Sequence, residues 1–251
     1  MTRIARGEVR IGCASSVLPP LLQHEFPPGD SHLARYAQVF NAAEINSSFH
    51  RPHRASMYQR WAASVPSTFA FSAKLPKAIT HERRLVDCEE QVRAFAGESA
   101  GLGDRLRCVL VQLPPSFAFD EAVAAPFFDM LRGHVRIDVA LEPRHATWFD
   151  PAIDAWLRKR RVARVLADPV RHESGRLPGG REDFLYVRLH GSPRMYYSAY
   201  DDAVLAALAS RIEQARAEGR NVWCMFDNTA GQEAAGNALQ LQRLLAQTNG
   251  V

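Results

Sequence analysis

Tyr186-Val-Arg-Leu-His-Gly191 carries the densest chemistry in this chain. Leu185, Val187 and Leu189 form one apolar parity, while Tyr186, Arg188 and His190 form a polar one, the two-residue period of a strand. Other strand-like stretches end in the same kind of residue: Glu44-Ile-Asn46, Ser72-Ala-Lys74, Gln112, Leu141-Glu142-Pro-Arg144-His145 and Asp168. Many short strands that each offer a polar residue at the C-terminal end imply one shared interior, the mouth of a barrel. Burying a charge without a partner is costly, so such a set is not gathered merely to fill space.

His190 is the leading general acid/base, because an imidazole titrates close to neutrality. Glu142 is its complement as a base, or an orienting partner for Arg188 or Lys74. Lys74, Arg144 and Arg188 suit an anionic group, phosphate or carboxylate, with arginine giving forked contacts. Lysine occurs only at 74, 77 and 159, and a buried lysine shifts its pKa in ways arginine cannot. Gln112 and Asn46 would orient a ligand, and Glu44 and Asn228 would complete the lining. His81 and His145 lie just past strand ends, where reaching the mouth and capping a loop are both open. The competing reading is a self-satisfied plug of ion pairs, such as Glu142 with Arg188.

Three further readings bear on cofactors and rim. Glu44, Glu142, Asp168 and His190 include ligand types for Mg, Mn or Zn, although no HExxH or tight ligand cluster appears. The Asp227-Asn-Thr-Ala-Gly231 loop leads into the last helix, where exposed N–H groups could hold phosphate. Tyr186 is expected one layer deeper as core, and Tyr196, Tyr197 and Tyr200, on the loop after the seventh strand, are expected to form a rim or lid. Trp148 either stacks on a substrate or packs under a loop.

The elements that must position these residues follow from period and punctuation. Strands are expected at 9–13, 43–49, 68–74, 106–113, 136–142, 162–168, 184–190 and 221–226. Helices are expected from Ser31, over 56–64, 87–100, 120–131, 151–160, 201–218 and 232–247, with Gly133 beyond the fourth of these. The Gly- and Pro-rich piece 169–180 has no helical period, so the sixth helix gives way to a loop. Strands alternating with helices imply a parallel sheet with crossover connections. The expectation is a single eight-stranded (β/α)₈ TIM-type barrel over 1–251, an ordinary size for that fold.

Bulk properties narrow the function classes. The apolar fraction of 47% supports a large core, and no run of 18 or more apolar residues exists, so no membrane span is indicated. Met1-Thr-Arg-Ile-Ala-Arg6 lacks the apolar core of a secretion signal. Four cysteines without a CxxC pair fit reduced thiols in a cytoplasmic protein. The net charge of +4 is spread along the chain, apart from Arg158-Lys-Arg-Arg161 at a helix end. A nucleic-acid partner is therefore not favoured.

At these strand ends the chain resembles the YecE-like family, domain-of-unknown-function family 72. The matching pieces are Glu44-Ile-Asn-Ser-Ser-Phe49, Phe71-Ser-Ala-Lys74, Ile79-Thr-His81, Gln112-Leu-Pro-Pro115, Glu142-Pro-Arg-His145, Trp148, Tyr186-Val-Arg-Leu-His-Gly191 and Phe226-Asp-Asn-Thr with Asn237-Ala238. They run through nearly the whole chain in the family's order. The resemblance implies a TIM-type barrel and no assigned reaction. The chain departs from the family at Gly12-Cys-Ala-Ser-Ser16, where members often carry Gly-Trp, and at Phe49-His50, where a Tyr is common.

The preferred reading is an enzyme, a hydrolase, lyase or isomerase, doing acid/base chemistry on an anionic small molecule. One rival is a metal-dependent phosphodiesterase or endonuclease on nucleic acid. The other is a non-catalytic module that binds an anionic ligand or a partner protein.

Overall fold

The computed structural model describes residues 5–248, so most of the N-terminal stretch read above, Met1 to Ile4, lies outside them. Short, mostly apolar runs form β1 (Val9–Cys13), β2 (Ala42–Ile45), β3 (Ala70–Lys74), β4 (Leu106–Gln112) and β5 (Asp138–Glu142). They continue with β6 (Val162–Arg164), β7 (Leu166–Asp168), β8 (Gly179–Gly180), β9 (Phe184–Leu189) and β10 (Asn221–Phe226). The helices are α1 (His32–Tyr36), α2 (Ala55–Ala63), α3 (Glu89–Ser99), α4 (Glu121–His134), α5 (Pro151–Lys159), α6 (Asp202–Ala217) and α7 (Ala234–Thr248). Ser31, Asp120, Asp150 and Asp201 each accept a backbone N–H at a helix start, caps worth about 1 kcal/mol apiece.

The strands form two sheets, ordered β2-β3-β4-β5-β6-β8 and β1-β10-β9-β7. Every pair is parallel except β6 with the short β8. One face of each sheet packs on the helices, with Val109, Val139 and Leu141 against Phe127, Phe128 and Leu131 among others. The opposite faces meet in a second, smaller core that includes Leu110, Ala140, Ala163, Tyr186, Trp223 and Met225. Both parities of a strand are thus buried, as parallel sheets require, and polar residues on the second face have little exposure.

The segment 162–168 belongs to both sheets. Val165 separates β6 from β7, and its N–H bonds Leu141 O at 2.8 Å, so the chain passes from β5 as neighbour to β9. Between β1 and β2 side chains replace a ladder. Asn41 accepts from Ile11 N and donates to Val9 O. The Tyr36 hydroxyl accepts from Cys13 N at 2.7 Å and donates to Ala42 O. Gly12 is needed here, since a Cβ would stand 1.9 Å from Ala42 O.

Several expected boundaries move. The sixth strand is two strands interrupted at Val165. The second strand stops at Ile45, and Ser47–Phe49 forms a 3₁₀ turn that takes Asn46 out of the strand alternation. The third helix cannot begin at Asp87, whose φ of 46° is left-handed, and starts at Glu89. The fourth continues through Gly133 to His134, closed by Val135 N bonding Leu131 O. The 169–180 piece holds only a 3₁₀ turn (Glu173–Gly175) and the two-residue β8. No helix of the described residues is long and apolar enough to cross a membrane.

Candidate active site

The polar residues at the C-terminal strand ends assemble around Arg188 of β9, which has no exposed surface. Its guanidinium reaches Glu44 of β2 through Nε at 3.0 Å and Nη2 at 2.6 Å. Nη1 donates to Glu142 of β5 at 2.6 Å, and Nη2 also reaches Asp227 at 3.1 Å. Tyr186, two residues earlier on the same face, donates to Glu44 Oε2 at 2.9 Å and meets the Ser72 hydroxyl at 2.7 Å. The expected Glu142–Arg188 pair is present, and it is one arm of a larger knot. Removing any partner from such a knot strands a buried charge.

His190 continues the same face and is 2% exposed. Its Nδ1 lies 2.9 Å from Asp227 Oδ2 and its Nε2 3.2 Å from Glu142 Oε1. Burial works against the imidazolium, but the Glu142 charge and hydrogen bonds to Asp227 and Glu142 outweigh it and raise the pKa. Burial likewise opposes charge on Glu142 and Asp227, yet Arg188 and His190 hold both below the usual carboxylate range, with Arg144 adding to the effect on Glu142. The cationic form of the ring is therefore favoured between two carboxylates. Asp227 fixes its orientation from one side, as in other carboxylate–imidazole pairs.

Arg144 sits above this knot and donates to Glu142 Oε1 from Nε at 3.2 Å and Nη2 at 3.1 Å. Tyr196 turns its ring edge-on to His190. Glu142, Arg144, His190, Arg171 and Met195 help to line a narrow cleft. It has about 20 Å³ for the centre of a water molecule, within about 400 Å³ of unfilled space including the open side.

Lys74 ends β3 and is 6% exposed. Its Nζ lies 4.0 Å over the Phe49 ring and, among the described residues, makes no hydrogen bond or ion pair. Burial, reinforced by Arg188, brings its pKa down to about 8 against the pull of Glu44, Glu142 and Asp227. His81 lies edge-on to the same ring, and burial with Lys74 and Arg144 lowers its pKa.

Other expected site residues stand elsewhere. Asp168 has the opposite parity to Ala167 and turns away from the knot, accepting from the Tyr200 hydroxyl at 2.8 Å. Asn228 is one residue past Asp227 and points outward for the same reason, donating to Ser198 O and Asn237 Oδ1. The metal set is consequently not assembled: Asp168 is absent from it and Arg188 occupies both oxygens of Glu44. Among the described residues no group of three or more His, Cys, Asp or Glu side chains could hold a metal ion. Gln112 is buried beside Glu142 in register, and Asn46 Oδ1 is buried without a partner. His145 caps the turn 146–149 through Thr147 N.

Part of the 227–231 loop is committed elsewhere. Gly231, Gln232 and Glu233 N–H groups bond Tyr196 O, Thr229 O and Asn228 O, and Asp227 N bonds Leu189 O. Trp148 is fully buried, with Nε1 donating to Phe117 O, and packs under a loop. Arg158 pairs with Glu182, and Arg160 lies over Trp156 near Asp129, as expected of a helix end. Asp227, read from sequence only as part of a loop, is the residue that joins the knot unexpected. Trp223, Met225 and Asp227 continue one parity, and extending the last strand by one residue would have revealed it.

Comparison with known proteins places this geometry in a family. A family model described as "Protein of unknown function DUF72" matches residues 10–251. The UPF0759 protein YecE of Escherichia coli K12 is 30% identical over 146 residues, covering 56% of this chain; the alignment spans about half of YecE, 53% of its length. The UPF0759 protein YunF of Bacillus subtilis is 23% identical over 252 residues, 88% of this chain and 89% of YunF. Among solved structures, a DUF72 family protein from Enterococcus faecalis superposes with a TM-score of 0.78 at 22% identity, covering 95% of each chain. One from Thermotoga maritima gives 0.77 at 23%, covering 95% of this chain and 99% of that one. A sugar phosphate isomerase/epimerase from Parabacteroides distasonis gives 0.54 at 13% and covers 100% and 99%.

Proposed function

The chain belongs to the family of proteins of unknown function DUF72, and from that premise we propose that it is a barrel enzyme performing acid/base chemistry on an anionic small molecule. In this reading the two sheets close into one eight-stranded (β/α)₈ barrel of a single domain. The segment 162–168 serves as one strand, and the Tyr36 and Asn41 bridges join β1 to β2. The site then lies at the C-terminal mouth, where such barrels place their chemistry. Four buried free cysteines agree with a cytoplasmic setting.

One observation carries the proposal: His190 is held by Asp227 and faces Glu142 at the wall of a cleft that Arg144 also lines. The resting imidazolium donates a proton from Nε2 to a ligand oxygen, and the neutral ring then accepts one. Glu142 offsets the charge on the ring, and Arg144 receives the carboxylate or phosphate. Arg188 and Glu44 hold the other groups in place and touch no substrate. A cleft this narrow admits one small functional group at a time, which favours a metabolite over a nucleic-acid strand. The fit to the Parabacteroides neighbour is one of fold alone.

The test is hydrogen–deuterium exchange in D₂O across a panel of small carboxylates and phosphate esters, followed by proton NMR. The wild type is expected to exchange a carbon-bound proton of at least one compound, His190→Asn to lose exchange, and Arg144→Met to weaken binding. Full exchange in His190→Asn would remove His190 from the mechanism.

A further inference from the structure

Lys74 is unlike every other cation at this site. Arg188 meets three carboxylates, His190 two and Arg144 one. Lys74 meets none among the described residues, although three carboxylates stand nearby. Arg188 and Tyr186 take both oxygens of Glu44, Arg188, His190 and Arg144 those of Glu142, and Arg188 and His190 share Asp227 Oδ2. Its stem is buried, its amine rests on an aromatic face, and the other lysines, 77 and 159, lie elsewhere on exposed positions.

We propose that the Lys74 amine is a nucleophile that forms an imine with the carbonyl carbon of an anionic aldehyde or ketone, an α-keto acid or a phosphorylated ketose. This rests on reading the mouth as a site for an anionic small molecule, and it names the electrophile. A lysine desolvated beside another cation is the arrangement that frees an amine lone pair, and Arg188 is the largest charge acting on Lys74. With a pKa of about 8, roughly a tenth of the amine is neutral at pH 7, far more than for an ordinary lysine. Arg144, which lines the mouth beside Glu142, supplies the positive charge suited to an anionic substituent.

The step balances without a redox partner. The neutral amine adds to the carbonyl carbon, the C–N bond forms, and the carbonyl π pair moves to oxygen. An amine proton passes to that oxygen, giving a carbinolamine. The C–O bond then breaks, oxygen leaves as water with a proton from the His190 imidazolium, and the nitrogen lone pair completes the C=N⁺ bond. Solvent reprotonates His190, and water reverses the sequence. The iminium withdraws electrons from the adjacent carbon, so a proton there becomes acidic.

The test is borohydride reduction of the full chain with pyruvate in one arm and dihydroxyacetone phosphate in the other, followed by peptide mass mapping. Reduction converts an imine to a stable secondary amine. The expected result is a reduced adduct on Lys74 in at least one arm, which names the anion class, with Lys77 and Lys159 unlabelled at the same dose. Lys74→Arg should lose the adduct and Lys77→Arg should keep it. Equal labelling of the three lysines, or no Lys74 adduct in either arm, overturns the proposal. Calorimetry with lactate and glycerol phosphate, which lack the carbonyl, separates the two failures. If they bind and Arg144→Met weakens them while no adduct forms, the imine falls and the anion site stands. If they do not bind either, both fall together.

Discussion

Replacing Lys74 with methionine is expected to make the protein more stable at neutral pH while abolishing its chemistry. An ammonium whose pKa falls from 10.5 to about 8 carries about 3 kcal/mol of unfavourable charge burial at pH 7, at about 1.4 kcal/mol per pH unit. The contact of Nζ with the Phe49 ring at 4.0 Å returns about 1 kcal/mol. Methionine keeps the unbranched stem and needs no partner. The net gain is about 2 kcal/mol for the variant. Because the folded pKa lies below the unfolded one, the unfolded chain binds more protons between about pH 8 and 10.5, so the wild type gains stability as pH rises through that window. The advantage of Lys74→Met should therefore shrink by pH 10. Urea unfolding followed by tryptophan fluorescence at pH 7 and pH 10 measures both quantities. A variant less stable than wild type at pH 7, or an advantage that does not change with pH, would refute the burial argument.

Arg188→Met leaves Glu44, Glu142 and Asp227 facing one another without their shared cation, and should cost about 3–5 kcal/mol, read from the urea midpoint at pH 7. His190→Asn tests the opposite sign. The folded pKa of His190 is raised, so its contribution is complete below the ordinary value of about 6.5 and fades as pH rises through the folded value. The stability gap between wild type and His190→Asn should thus be larger in mild acid than at alkaline pH, and a gap independent of pH would show that the ring is not held as a cation.

Most of the fold was readable because both strand parities had to be explained. Tyr186, Arg188 and His190 could not be a solvent face when so many other stretches ended in charge, and the second core on that face is where they lie. Boundaries failed where a local rule met tertiary geometry. The chain from Val162 to Asp168 stays extended throughout, so nothing in its composition announces that its hydrogen-bonding neighbours change at Val165. Gly133 reads as a stop, yet Val135 supplies the closing N–H one residue beyond His134. The bridging of β1 to β2 by Tyr36 and Asn41 has no periodic signature at all.

Site residues divide by the same arithmetic. Glu44, Lys74, Glu142, Arg188 and His190 share the inward parity, whereas Asp168 and Asn228 follow Ala167 and Asp227 by one residue and face the other way. A polar residue at a strand end is informative only once its register is known. Asp227 illustrates the converse, since ending the last strand at Phe226 assigned it to a loop.

The site contains both of the arrangements weighed from sequence, and their separation has a physical cause. Arg188 and His190 hold Glu142 and Asp227 below the usual carboxylate range, so this part is a stiff knot of mutually paired charges. Arg188 at the centre then acts on Lys74 through its charge, which repels the ammonium. A plug that satisfied every charge would have left nothing free to react. A plug that satisfies all but one concentrates the instability in a single amine. The cost at Lys74 and its reactivity are in this view one quantity, which is why the stabilising substitution and the inactivating one are expected to be the same.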